Sequence, residues 1–185
     1  MSKLAPTPGQ TVGPFFGYAL PFDGGEVLVP IGHPRAIRLH GTVYDGAGEP
    51  VPDAIIELWQ ADEAGELPQV EGSRARDEWA FTGFGRAPVD DSGHYSFTTI
   101  VPGASSEGAA PFFAVTIFAR GLLHRLMTRA YLPLAHEAAA ADPLLGSLPV
   151  ERRETLIVRP DKHGFVFDIR LQGAGETVFL EHGTP

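Results

Sequence analysis

Seven histidines and four tyrosines, with no cysteine, are the ring side chains that could hold a metal or carry a proton in this 185-residue chain. The histidines are His33, His40, His94, His124, His136, His163 and His182. No two stand two to four positions apart, so the paired-ligand spacing of a strand or a helix turn is absent. Taken singly, each reads as a turn or surface residue; His40 stands out because it falls inside a strand pattern. Carboxylates gather at Asp62, Glu63 and Glu66, at Asp77 and Glu78, and at Asp90 and Asp91. Paired carboxylates can do acid–base work, but in turns they more often cap and solubilise. Gly83-Phe84-Gly85 is half of a phosphate-loop pattern without its third glycine, and there is no Gly-x-Ser-x-Gly elbow. Arg129 follows Thr128 in an otherwise apolar stretch. Such a residue either faces solvent or is set against an anion.

The elements that must position these residues are strands. Alternation runs through Ile37, Leu39, Gly41 and Val43, and the Asp45-Gly46-Ala47-Gly48 cluster ends it. Further strands are predicted at 54–61, 94–100, 112–119, 126–132, 165–171 and 177–180, and 66–92 reads as loop. The alanine-rich run from Ala135 ends at Pro143 as a short helix should, and 147–153 suggests a second helical turn. Twenty-two glycines and 17 prolines supply the turns. Short strands separated by such turns predict a mainly β, single-domain sandwich over 36–185, with a short helical segment near 135–153. Residues 1–35 are too rich in Pro and Gly for long elements, yet they carry Phe15, Phe16, Tyr18, Leu20 and Phe22. An arm with that many apolar side chains should be pinned against its own core or a partner chain.

Composition narrows the function. A formal charge of −9 argues against nucleic acid as a partner. No apolar run reaches the length of a membrane span, and the first residues lack the apolar region of a signal peptide, so a cytoplasmic chain is expected. The lack of cysteine excludes disulfides and thiolate metal sites, and it fits a reducing compartment.

Several motifs together resemble the intradiol ring-cleavage dioxygenases, in order and over nearly the whole chain. They are Thr7-Pro8-Gly9-Gln10-Thr11-Val12-Gly13-Pro14-Phe15-Phe16, the run from Gly41 to Ala54 continuing into Glu57-Leu58-Trp59-Gln60-Ala61-Asp62, and Gly93-His94-Tyr95-Ser96-Phe97 followed by Thr99-Ile100-Val101-Pro102-Gly103. The resemblance implies a sandwich fold and a non-haem ferric ion held by two tyrosines and two histidines, a hard oxygen and nitrogen set suited to Fe(III). It implies cleavage by O2 of the bond between the two hydroxylated carbons of a dihydroxybenzoate. Matched motif by motif, the tyrosines would fall near Leu67 and Ser105 and the histidines near Phe112 and Ala114. None of these can hold ferric iron. The chain therefore resembles the family's alpha chains, which lack the ligands and complete a site on an iron-bearing beta chain within an oligomer of alpha–beta pairs. Carried over residue by residue, the positions expected to touch substrate are Thr11, Gly13, Pro14, Phe15 and Arg129, with no catalytic or metal-binding residue in this chain. Two other readings stand beside it: a non-enzymatic transthyretin-like binding module, and a self-sufficient dioxygenase with displaced ligands.

Overall fold

The computed structural model describes residues 13, 15–69, 80–134 and 136–181. Two sheets face one another, the first mixed and the second antiparallel throughout. The first contains β1 (Ile37–Tyr44), β4 (His94–Thr99), β7 (Arg159–Asp161), β8 (Gly164–Val166) and β9 (Ile169–Arg170). Its order is β4-β1-β8-β7, with β9 also paired to β1. The second has the order β3-β2-β5-β6, from β3 (Phe84–Pro88), β2 (Ile55–Trp59), β5 (Phe112–Phe118) and β6 (Leu126–Tyr131). The mainly β sandwich predicted from alternation is the fold.

Alternation decides what fills it. Leu39 and Val43 of β1, Tyr95 and Phe97 of β4, Ile56 and Leu58 of β2, and Phe113, Val115 and Ile117 of β5 are buried between the sheets. Their strand neighbours point outward: Arg38, His40 and Thr42 on one outer face, Glu57, Trp59, Phe112 and Ala114 on the other. A smaller cluster of Tyr131, Leu145, Leu156 and Val178 sits where α2 (His136–Ala141), α3 (Pro143–Ser147) and α4 (Val150–Glu154) pack at the end of the second sheet.

The structure departs from the predicted elements at five places. Strand β3 was hidden in the expected 66–92 loop, because Gly85 and Pro88 mask an edge strand's alternation. The three-residue β7 also went unseen. The strand expected at 165–171 is broken into β8 and β9, because Asp168 Oδ1 rather than a backbone carbonyl accepts the Thr42 N–H at 3.0 Å. Gly41 lies at that break, and a Cβ there would run into the Phe167 carbonyl. Residues 177–180 form no strand, but they run beside β6, with the Leu180 N–H on the Met127 carbonyl at 2.7 Å. In the helical segment, Pro143 does not merely stop a helix. It opens α3, whose N-cap Asp142 accepts the N–H groups of Leu144 and Leu145, both at 3.0 Å.

The described part of the arm packs on the sandwich. Arg86 N–H donates to the Gly25 carbonyl, Thr98 N–H to Glu26, and Leu28 N–H to Thr98, so residues 25–28 lace β3 of one sheet to β4 of the other. Phe16, in the one-turn α1 (Phe16–Ala19), is buried. Phe22 stacks on Phe84. Phe15 and Tyr18 instead face outward, at 72% and 87% exposure.

Candidate functional site

The positions matched to the family's metal ligands converge. Leu67, Ser105, Phe112 and Ala114 all line one cavity of about 380 Å³, together with Trp59, Gln60, Ala61, Pro68, Gln69 and Gly103. The spacing between them in sequence spans 47 positions from Leu67 to Ala114; the fold closes that gap in two ways. Phe112 and Ala114 lie two apart on β5, so both point to the outer face, and Ala114 sits directly across from Trp59 on β2. The loops after β2 and after β4 are zipped together: Gly103 N–H donates to the Asp62 carbonyl at 2.7 Å. Gly65, at φ 87°, and Gly103 let the two backbones touch, since a Cβ on either would strike the other loop. That contact places Leu67 and Ser105 over the strands.

The lining does not fit ferric iron. Among the described residues it holds no imidazole, phenol, carboxylate or thiolate, and Leu, Phe and Ala offer no donor atom. Gln60 is buried, but its amide N–H groups go to the carbonyls of Ile100 (3.0 Å) and Ala61 (3.2 Å), and its carbonyl takes the Thr99 hydroxyl at 2.5 Å. The four tyrosines are elsewhere. Tyr95 is buried in the core with its hydroxyl on the Phe167 carbonyl at 2.6 Å, and burial holds its phenol well above the ordinary value. Tyr131 is buried beside Asp142; burial raises its phenol, and the Arg129 guanidinium opposes that rise. Tyr44 lies under Arg170 on the first sheet and Tyr18 is on the arm.

Of the residues expected to touch substrate, Thr11 and Pro14 lie outside the described residues. Gly13 has φ 75°, a left-handed turn that suits glycine. It lines a surface cavity with Phe16, Gly17 and Tyr18. Phe15 is exposed beside it. Arg129 is half-buried on the outer face of the second sheet, directly across from Ala114. Its guanidinium carbon lies 4.0 Å from the centre of the Phe112 ring, and Nη1 donates to the Tyr131 hydroxyl at 3.2 Å. It thus stands against the wall of the cavity rather than in open solvent.

One grouping escaped the sequence. His40, read there as a lone strand histidine, is buried on the outer face of the first sheet, with Nδ1 3.2 Å from His94 Nε2 and its ring 6.4 Å from that of His163. Its Nε2 is 3.3 Å from Asp161 Oδ2, without hydrogen-bond geometry. The 54 positions between His40 and His94 conceal a diagonal pair across β1 and β4. Among the described residues no three His, Cys, Asp or Glu side chains form a metal-binding group. Two of the acidic turns behave as caps: Asp62 Oδ1 accepts the N–H groups of Ala64 and Glu66 (2.9 Å each), and Asp90 Oδ1 those of Ser92 (2.9 Å) and His94 (3.1 Å); Asp77 and Glu78 lie outside the described residues.

A family model described as "Dioxygenase" matches residues 11–111. With this fold, and with relatives along the whole chain, the protein belongs to the intradiol ring-cleavage dioxygenase family. It is 37% identical to the protocatechuate 3,4-dioxygenase alpha chain of Burkholderia cepacia, across 98% of this chain and all of that one. It is 38% identical to the Pseudomonas putida alpha chain, across 96% and 97%. The B. cepacia beta chain is 31% identical, across 85% of this chain and 78% of its own length. Among solved structures, the dioxygenase domain of a carbohydrate-binding fusion protein from Streptomyces sp. SirexAA-E superposes with a TM-score of 0.60 at 27% identity, covering 92% of this chain and 100% of that domain.

Proposed function

We propose that this chain is the iron-free alpha subunit of a protocatechuate 3,4-dioxygenase. The observation that carries the reading is the cavity itself: the positions matched to the ligands meet in one place and bear Leu67, Ser105, Phe112 and Ala114. Similarity to two alpha chains over nearly their full length supports it. In this reading a beta chain holds the Fe(III), and the complex cleaves 3,4-dihydroxybenzoate between its hydroxylated carbons. Both atoms of O2 enter the product, 3-carboxy-cis,cis-muconate, as a step of aromatic catabolism. Thr11, Gly13, Pro14 and Phe15 reach the partner's pocket, where a Gly-Pro turn lets backbone approach a ring closely. Arg129 complements the substrate's carboxylate, as a planar guanidinium does well. The outward Phe15 and Tyr18 become buried against the beta chain. A chain without cysteine suits a reducing cytoplasm.

The test is co-expression with a beta-type chain, oxygen uptake on 3,4-dihydroxybenzoate, and iron analysis of the separated chains. Activity only in the complex, with iron in the beta chain, is expected. Stoichiometric iron with a visible tyrosinate band in the isolated chain would overturn the reading.

A further inference from the structure

The cavity has lost every group an iron centre needs, yet it remains a cavity. Large side chains could have closed it. Instead Ala114 leaves room on its floor, and Trp59 and Leu67 stand at its wall 43% and 63% exposed. Exposed apolar groups gathered at one concavity mark a binding surface more often than an accident of folding. A cavity of about 150 Å³ is enough to take benzene, and this one is about 380 Å³.

Its chemistry selects a ligand class. Among the described residues, none that lines the cavity is charged. Gln60 has its amide engaged by Ile100, Ala61 and Thr99. Arg129 lies over Phe112 and does not line the space. An anion entering would lose hydration and find no cationic side chain in the described lining, the Arg129 guanidinium being held behind Phe112 on the Tyr131 hydroxyl. The polar groups left at the rim are the exposed Ser105 hydroxyl and the exposed Gln69 amide. We infer that this cavity is a metal-independent binding site for a small neutral ring compound carrying a single hydrogen-bonding group. The inference rests on the reading that this chain holds no iron.

The experiment uses the alpha–beta complex and fluorine NMR with two probes, 4-fluorophenol and 4-fluorobenzoate. Ligand at the partner's ferric ion is broadened by the paramagnetic centre, so a sharp, saturable bound signal reports a site away from the iron. A sharp signal from 4-fluorophenol is expected, with 4-fluorobenzoate at least tenfold weaker. Ala114→Phe, which fills the space from an outward-facing strand position, should weaken the phenol at least tenfold; Ala114→Ser, which keeps the space, should not. Absence of a sharp phenol signal, equal binding of benzoate, or unchanged binding in Ala114→Phe with native circular dichroism would each overturn the inference. A complex that binds the phenol but cleaves no 3,4-dihydroxybenzoate would sink the proposed function and leave this site standing.

Discussion

At the scale of single residues, Arg129 separates packing from recognition. Its guanidinium stacks on Phe112 and bonds Tyr131. Arg129→Ala should therefore cost about 1 kcal/mol of stability, more than a solvated strand residue would. If it also meets the substrate carboxylate, kcat/KM of the iron-loaded complex should fall roughly 10- to 150-fold, since a charged hydrogen bond is worth about 1.5–3 kcal/mol. Arg129→Lys should restore only part of this. Wild-type kinetics in the fully assembled variant would return Arg129 to a packing role. His94 gives a pH dependence. Burial, and then the neighbouring His40, hold its imidazole below the ordinary 6.5. The folded chain therefore binds fewer protons there than the unfolded chain. That contribution is present above about pH 6.5 and is lost as pH falls through the depressed value. Urea midpoints from pH 8 to 5 should decline with a component that His94→Gln removes; parallel curves for the two proteins would refute it.

Among the elements, the arm and its anchor are a unit. Arg86 on β3 pairs with Glu57 on β2, through Nε at 2.8 Å and through Nη2, and donates to the Leu20 carbonyl at 2.6 Å. It also lies against the rings of Phe22 and Phe84, 5.8 and 5.5 Å from their centres. Both charges are largely buried. Arg86→Met should cost about 3–5 kcal/mol, because it strands the Glu57 carboxylate, whereas Arg86→Met with Glu57→Met should recover most of the loss. Amide exchange over residues 15–28 reads the arm directly. It should quicken in both variants, since both lose the bond to Leu20. An arm whose exchange is unchanged would show that the lacing of residues 25–28 suffices without Arg86.

For the molecule as a whole, the correspondence between the cavity and a ligand set can be tested by rebuilding it. Leu67→Tyr, Ser105→Tyr, Phe112→His and Ala114→His together should confer Fe(III) binding, read as one iron per chain and a visible tyrosinate band. Each triple variant should bind more weakly. Two histidines two apart on β5 would share one face, and the zipped loops would bring the tyrosines to the same cavity. Failure of a natively folded quadruple variant to bind iron would break the correspondence.

The chain's own order of residues determined a good deal. Period-two alternation in β1, β4, β5 and β6 is a local property, set by which face each side chain must take, so the sandwich was legible. Motifs of adjacent residues carried the family, and they marked Leu67, Ser105, Phe112 and Ala114 as positions without ligands. What escaped were features made between distant segments. Strand β3 is short and carries Gly and Pro, and only pairing with β2 makes it a strand. The break between β8 and β9 depends on a side chain 126 positions from the amide it accepts. His40 and His94 were read as lone residues, because their meeting depends on the register of two strands. That the cavity stays open, and that Arg129 stands at its wall, depended on sheet pairing and on two loops touching at Gly65 and Gly103. Spacing along a chain encodes the local periodicities; contacts across it are fixed only when burial of the shared core selects one register from many.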